Sequence, residues 1–276
     1  MYSFEEVVPG VVLAAYPLRP GAVVSMIAVK GDRVAVIDTG MAEHMPAAIA
    51  PALAALGASP ADVKLIVNTH GHGDHFGGNV ALRAASGAPV WAAAGDARDY
   101  PAPPDRLLSD GDLVDLGKLQ FQVIAAPGHS VGIIGLYEPT HCLFIASDAV
   151  QGLGSSGVVP LIFYSGAAYR ASLRTLRDLD IEIITLGHPF AWSGERALIH
   201  RGLAARRFLV DSTAAAERTH DAARDALATC PGQEWGCLRE AFLRRLGHDP
   251  KADLPSMLLH TLRAELRDLG ADLPAA

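Results

Sequence analysis

Short apolar runs separated by turn residues dominate the first two thirds of the chain. They are rich in Val, Ile and Leu and are bounded by Gly, Pro or polar residues, a pattern typical of strands. The predicted strands are residues 23–29, 34–38, 65–68, 89–92, 121–125, 133–137, 142–146 and 181–186. Helical periodicity appears at residues 45–56, 78–86 and 167–179. Strands grouped with such helices predict an α/β sandwich with helices outside a buried sheet.

The pattern changes after about Gly194. The rest of the chain is rich in Ala, Leu and Arg at helical spacing, with no convincing strand, and is interrupted near residues 230–232 and 248–250. We expect three or four helices there. The sequence therefore predicts a main domain over residues 1–194 and a helical C-terminal cap over residues 195–276.

Residues 151–166 (QGLGSSGVVPLIFYSG) form a long connection between a predicted strand and a predicted helix. The first half is rich in glycine and the second half is apolar. Long loops in compact domains are often functional, although an ordinary surface loop fits the pattern equally well.

Composition narrows the classes of protein. The 276 residues are 50% hydrophobic and 19% charged, which is typical of a globular chain with a substantial core. The formal net charge of -7 argues against a nucleic-acid or anionic-membrane partner, because phosphate binding needs a concentrated positive field. The N-terminus lacks the features of a signal peptide, and no uninterrupted apolar stretch reaches membrane-spanning length. We therefore expect a cytoplasmic protein.

Three cysteines are present, Cys142, Cys230 and Cys237. An odd number in a chain of this length does not indicate a disulfide framework. We expect all three to serve packing.

Candidate chemistry is concentrated in the run His70-Gly71-His72-Gly73-Asp74-His75, directly after a predicted strand. Imidazole nitrogens and carboxylate oxygens are ordinary donors to zinc and similar divalent ions. Alternate residues of an extended segment point the same way, so the first two histidines can share one ion while Asp74 and His75 face a second. The glycines permit tight turns. Four such side chains in six residues favour a metal site over a helix cap, and a single-ion site is the more serious alternative.

The run resembles the HxHxDH signature of the metallo-β-lactamase superfamily, and the similarity covers roughly residues 10–195. Relatives carry further ligands at strand ends, where this chain has His129, Asp148 and His188. The resemblance implies an αβ/βα sandwich whose catalytic domain is residues 1–194. Asp38 looks like the family's supporting aspartate, which orients ligands from outside the metal shell.

The implied ligands divide into two sets. The first ion would take His70, His72 and His129, the second Asp74, His75 and His188, with Asp148 bridging both. Six further histidines do not join this pattern, and we expect no functional role for them: His44, His141, His200, His220, His248 and His260.

This ligand set implies a dinuclear metal-dependent hydrolase. Two divalent ions about 3.5–4 Å apart share a water whose pKa falls from about 15.7 toward neutrality, and the resulting hydroxide attacks a carbonyl carbon. An ion also polarises the carbonyl oxygen. Asp74 is the additional catalytic candidate, orienting the nucleophile or relaying its proton. Zinc is the expected metal, and iron or manganese suit the same donors.

The side chains that the chain lacks narrow the class of substrate. Relatives that cleave glutathione thioesters use basic and tyrosine side chains after the bridging aspartate and in the helical tail. Between Asp148 and Gly194 the only cations are Arg170, Arg174 and Arg177, whose spacing predicts a solvent-facing stripe. A glutathione thioester is therefore disfavoured.

Other branches of the family fit less well. Lactonase relatives place a tyrosine just after the bridging aspartate, a position that only Tyr164 or Tyr169 can fill here by geometry. Subclass B3 β-lactamases are secreted and generally lack that aspartate, persulfide dioxygenases use a single iron, and ribonuclease relatives carry basic extensions.

We therefore expect a small-molecule hydrolase that cleaves an ester, thioester or lactone of a largely apolar substrate. Its pocket would be walled by residues 151–166 and the helical tail, with residues 158–164 either facing the metals or packing as plain core. Lactonase activity, β-lactamase-like amide hydrolysis, and a slow-turnover ligand-binding or regulatory protein that retains its metals remain alternatives.

Overall fold

Two β-sheets lie face to face, with helices on their outer sides. The computed structural model describes residues 3–192, 195–251 and 256–271. The first sheet consists of β1 (Ser3–Val8), β2 (Val11–Arg19), β3 (Ala22–Lys30), β4 (Val34–Ile37), β5 (Val63–Asn68), β6 (Val90–Ala93) and β7 (Arg106–Leu108), in that order. The second has the order β15 (Ile199–Arg201), β12 (Ile183–Leu186), β11 (Leu143–Ser147), β10 (Ile134–Glu138), β9 (Gln120–Ala125), β8 (Leu113–Asp115). Two further short strands, β13 (Ala191–Trp192) and β14 (Glu195–Arg196), pair antiparallel with each other.

The helices lie between the strands along the chain and, near its end, after the last strand. They are α1 (Ala50–Ala55), preceded by a π-helical turn (Met45–Ile49), α2 (Gly73–Phe76), α3 (Asn79–Ser86), α4 (Gly166–Arg177), α5 (Leu203–Thr229), α6 (Trp235–Arg245) and α7 (Leu258–Asp268). Strands β4 to β7 run parallel, and so do β11 and β12, whereas the other pairs within the two large sheets are antiparallel.

The core lies in layers because successive side chains of a strand face opposite sides. In β3, Ile27 and Val29 pack between the sheets, while Met26 packs in the layer that contains Leu53 of α1. Across the second sheet, Phe144 packs in a layer with residues of α4 and α5. The predicted α/β sandwich is therefore confirmed.

The structure adds strands that the apolar pattern did not reveal. Strands β1 and β2 pair at the start of the first sheet, and β15 pairs with β12 at the edge of the second. The expectation that no strand follows residue 194 is therefore wrong, because Ile199–Arg201 is too short to show periodicity. The boundary at residue 194 falls outside the described residues and stays a prediction.

Cys230 and Cys237 form a disulfide, so the expectation that all three cysteines serve packing is wrong. The turn between α5 and α6 brings the two Cα atoms to 6.0 Å, within the usual range for such a bond. An odd number of cysteines in the chain does not exclude a disulfide between two that lie close in sequence. In the described part of the chain, no helix is both long and apolar enough to cross a membrane.

Candidate metal centre

The side chains of the sequence motifs meet at one edge of the sandwich, where strands of both sheets end. The histidine run follows β5, and Asp38 follows β4. From the second sheet, His129 lies between β9 and β10, Asp148 follows β11, and His188 lies two residues beyond β12.

The first set of donors contains His70, His72 and His129, whose ligand atoms all lie within 4.8 Å of one another. Nδ1 of His72 is 2.9 Å from Nε2 of His129. His70 is fully buried, and its Nε2 has no hydrogen-bond partner among the described residues. Lone pairs that converge in this way are stabilised by a cation.

The second set contains Asp74, His75 and His188, again with ligand atoms within 4.8 Å of one another. Nε2 of His188 is 3.4 Å from Oδ2 of Asp74 and 3.4 Å from Nε2 of His75. The first two histidines of the run thus belong to one set, and the aspartate and histidine that follow them belong to the other.

Asp148 lies between the two sets. Its Oδ2 is 3.4 Å from Nε2 of His129 and 3.5 Å from Nε2 of His188, and its Oδ1 is 3.7 Å from Nε2 of His75. The residue is buried, and Oδ1 has no hydrogen-bond partner in the described structure. A carboxylate placed in this way can contact an ion in each set.

The far nitrogens of three rings are held by acceptors. Nδ1 of His129 donates to the Leu161 carbonyl at 2.8 Å, and Nδ1 of His188 donates to the Val23 carbonyl at 2.6 Å. Nδ1 of His75 donates to Asp38 at 2.9 Å. Because these acceptors cannot donate, each Nδ1 carries a proton, which leaves Nε2 as the atom that faces the site.

Asp38 is saturated by protein donors. Besides His75, it accepts hydrogen bonds from the Thr69 amide and hydroxyl, both at 2.8 Å, and from the Ser147 hydroxyl at 2.9 Å. Its φ of 56° lies in the left-handed region, where Asp is tolerated better than most residues. These contacts suit a carboxylate that orients a ligand.

The charges of the cluster also favour a cation. Burial lowers the pKa of His129 to about 4, and it lowers the pKa of His70 as well. Burial alone would lower the pKa of His75, but the carboxylates of Asp38 and Asp148 raise it to about 9. The neutral rings of His70 and His129, together with the buried carboxylates that attract a positive charge at His75, form a donor set that fits two divalent ions.

Lack of space for a side chain, rather than turn geometry, explains Gly71 and Gly187, and neither explains Gly73. Neither Gly71 nor Gly73 has a positive φ, so the expected role in a tight turn is wrong. A Cβ at Gly71 would lie 2.6 Å from the Cβ of Asp99, whereas a Cβ at Gly73 would meet nothing within 4 Å. At Gly187 a Cβ would lie 2.2 Å from Oδ1 of Asp148.

Asp96 is a buried residue that sequence analysis missed. It accepts hydrogen bonds from the Gly71 amide at 3.1 Å, the Ser130 hydroxyl at 2.5 Å and the Gly132 amide at 2.6 Å. It therefore joins the loop of His70 to the loop of His129. No motif surrounds it, since its partners are distant in sequence.

An open cleft of about 360 Å³ lies beside His72. Its other lining residues are Asp96, Asp99, Ser130, Val131, Phe163, Tyr164 and Arg267. The Phe163 ring lies edge-on to His72 and His129, with centroids 5.2 and 5.3 Å away.

The segment 158–164 therefore combines both expected roles. Phe163 and Tyr164 line the cleft, while Val159 and Ile162 are buried in core clusters. Tyr169 is fully buried and its hydroxyl accepts a hydrogen bond from the Gln151 amide, so it does not line the cleft. The cleft is also more polar than the apolar pocket expected from the sequence.

Of the three arginines predicted to form a solvent-facing stripe, Arg174 and Arg177 are exposed as predicted, whereas Arg170 is not. Arg170 is buried and donates to both carboxylate oxygens of Glu265, at 2.7 and 2.9 Å. The cation that lines the cleft is Arg267 of α7, which lies outside residues 148–194.

The remaining histidines have other surroundings. Nδ1 of His44 accepts from the Met41 amide, and His141 pairs with Glu138. His260 contacts a residue of the cleft, with its ring 4.9 Å from that of Phe163.

Comparison with known families agrees with this geometry. The model of the metallo-beta-lactamase superfamily matches residues 18–188. The chain belongs to this superfamily.

Individual relatives carry a more specific name. A hydroxyacylglutathione hydrolase of Cereibacter sphaeroides is 39% identical over 147 residues, covering 53% of this chain and 56% of the relative. One of Methylococcus capsulatus is 32% identical over 191 residues, covering 67% and 70%. The chain spans about half the length of the first curated relatives it matches.

Solved structures share the fold. A metallo-beta-lactamase family protein of Thermus thermophilus has a TM-score of 0.70 at 22% identity, over 96% of both chains. A metallo-beta-lactamase of Pontibacter korlensis has a TM-score of 0.63 at 16% identity, over 79% of this chain and 99% of the other.

Proposed function

We propose that this chain hydrolyses a small acyl thioester or ester with two divalent ions, held by the seven donors that the sequence motifs supply. The observation that carries the proposal is the position of Asp148, 3.4–3.7 Å from imidazole nitrogens of both sets. Two ions bound there would supply a nucleophilic water at neutral pH and a positive charge for the carbonyl oxygen. Zinc suits the donors best, and iron or manganese are compatible.

The ligand roles follow the two sets. The first ion would be held by His70, His72 and His129, the second by Asp74, His75 and His188, with Asp148 contacting both. Asp38 acts through His75, whose ring it orients. Removing such an orienting partner typically weakens metal affinity or activity about 10- to 100-fold.

Asp74 has the position of a catalytic carboxylate. Its side chain is 26% exposed, compared with 5% for that of Asp148. The hydrogen bond and charge of His188, together with the charge of His75, outweigh burial and hold the pKa of Asp74 well below its usual range. Asp74 is therefore ionised at neutral pH and accessible from solvent, as a group that orients the attacking water must be.

The acyl group of the substrate would lie against Phe163, beside the first set. A thioester is the first choice of bond, because the relatives are named for the hydrolysis of one. The second candidate substrate is a thioester whose thiol is glutathione rather than a neutral thiol. The name of the relatives favours it, and so does Arg267, whose exposed guanidinium at the cleft can pair with a substrate carboxylate.

Metal content and turnover on one substrate panel test the proposal. The panel contains acetyl and hexanoyl thioesters of a neutral thiol, the matching oxygen esters, a lactone, a β-lactam and a hydroxyacyl thioester of glutathione. We expect close to two divalent ions per chain and the highest kcat/KM on thioesters.

Other outcomes separate the alternatives. A tenfold preference for the glutathione thioester over the neutral ones would establish the second candidate. Full metal occupancy without turnover would support a ligand-binding protein, and a single iron with oxygen consumption would contradict the dinuclear hydrolase.

A further inference from the structure

Gln151 is a fully buried residue three positions after Asp148, at the start of the long loop 151–166. It belongs to neither donor set. Its carboxamide nevertheless contacts two parts of the chain on which the site depends.

The carboxamide pairs with both backbone groups of Leu161. Oε1 accepts a hydrogen bond from the Leu161 amide at 2.7 Å, and Nε2 donates to the Leu161 carbonyl at 3.2 Å. Nε2 also donates to the main-chain carbonyl of Asp148 at 2.9 Å. One side chain thus fixes Leu161 to the strand end that carries the shared carboxylate.

The Leu161 carbonyl is also the acceptor for Nδ1 of His129, at 2.8 Å. The direction in which Nε2 of His129 faces the first set therefore depends on the position of Leu161. Nε2 of Gln151 also lies 2.8 Å from Nδ1 of His129, so the carboxamide contacts the edge of the ring directly.

The cleft wall belongs to the same segment. Two residues beyond Leu161, the amide of Phe163 donates to the carbonyl of His129 at 3.1 Å. On the opposite side, Thr261 of α7 donates to the Pro160 carbonyl at 2.7 Å and accepts from the Ile162 amide at 3.0 Å. The segment is held between α7 and Gln151.

We propose that Gln151 is a positioning residue that sets both the His129 ligand and the Phe163 wall, through Leu161. A carboxamide can donate and accept at once, which a carboxylate or a thioether of similar length cannot. Its effect on metal binding is independent of the substrate, whereas its effect on selectivity rests on the proposed function.

The test compares Gln151→Met with Ser212→Ala. The Ser212 hydroxyl accepts from the amide of Gly152, the next residue along, but has no link to Leu161. Metal affinity is measured by titration with a competing chelator, and ligand geometry by the visible spectrum of cobalt-loaded protein. Selectivity is the ratio of KM values for acetyl and hexanoyl thioesters.

For Gln151→Met we expect about 10- to 100-fold weaker binding of one ion, a changed cobalt spectrum and a reduced preference for the longer acyl chain. For Ser212→Ala we expect lower thermal stability with the other three readouts unchanged. An unaltered cobalt spectrum and metal affinity in Gln151→Met would overturn the proposal.

If Gln151→Met does not fold, Gln151→Glu decides, since it keeps an acceptor for the Leu161 amide but replaces the donor with a charged oxygen that repels the Leu161 and Asp148 carbonyls. The same metal and spectral changes are expected, and their absence overturns the proposal. Because these two readouts need no substrate, a failure of thioester hydrolysis would leave them interpretable.

Discussion

At the scale of single residues, the two halves of the site depend on each other through Asp148. Its Oδ2 lies near His129 of one set and His188 of the other. Substitutions at these three positions therefore have distinguishable consequences for metal content.

Asp148→Ala should loosen both ions, because the shared carboxylate is lost. His129→Ala should mainly empty the first site and His188→Ala the second. Elemental analysis after gel filtration measures the ions retained per chain. His141→Ala is the control, since that ring pairs with Glu138 outside both sets and should change neither metal content nor hydrolysis. Two ions retained in every variant would show that the ligand assignment is wrong.

Gly187→Ala should disrupt the site without removing any donor. The added methyl group would lie 2.2 Å from Oδ1 of Asp148 and 2.9 Å from Cε1 of His75, so the carboxylate must move. We expect metal affinity to fall by about 10- to 100-fold, as for other losses of ligand orientation.

The matched control is Gly73→Ala, in the histidine run itself. Nothing lies within 4 Å of the added carbon, so metal binding and turnover should be retained. A strong loss in this variant, or none in Gly187→Ala, would contradict the steric explanation. Competition with a chromophoric chelator measures both.

At the scale of elements, the segment 158–164 divides its residues between the core and the cleft. Val159 packs with the tail helices, while Phe163 contacts the rings of His72 and His129. We therefore expect substitutions of its core residues to change stability and substitutions of its cleft residues to change substrate selectivity.

Phe163→Ala should raise KM for a hexanoyl thioester more than for an acetyl thioester, with metal content unchanged. Complete burial of a methylene contributes about 0.8 kcal/mol, or roughly fourfold in affinity, so the difference should grow with acyl length. Val159→Ala should lower the melting temperature and leave this ratio unchanged, since Val159 is fully buried away from the cleft. Equal losses for both substrates in Phe163→Ala would assign that ring to the core.

The elements also show which features a sequence can reveal. All eight predicted strands form, because apolar runs mark strands that are largely buried. The residues proposed as metal donors could be picked out because four lie in one run and the others follow strands. No local sequence pattern identifies Asp96, Gln151 or Arg267, since their hydrogen-bond partners lie elsewhere in the chain. The same holds for the edge strand β15, which is defined by pairing rather than by pattern.

At the scale of the whole molecule, ions bound at this site would join the two sheets. His70 and Asp74 follow a strand of the first sheet, while Asp148 and His188 follow strands of the second. Metal binding should therefore stabilise the sandwich as a unit.

Removal of the metal should lower the melting temperature, and added zinc should restore it. A ligand at 1,000 times its dissociation constant adds about 4 kcal/mol to the free energy of unfolding, provided that it binds only the folded state. Calorimetry with and without a chelator measures the shift, which should shrink in Asp148→Ala. Identical melting temperatures in the wild type would show that the ions do not link the sheets.

The crowding of the histidine run has a consequence for how the chain folds. Four donors lie within six residues even in an unfolded chain, whereas His188 is 113 residues away from His75. An ion present from the start can be captured by the local donors before the second sheet has formed, and it must then be released or rearranged. Refolding from denaturant should consequently be faster in chelator, with zinc added afterwards, than in zinc throughout. Equal rates in a time course of recovered fluorescence would show that the run does not trap the metal early.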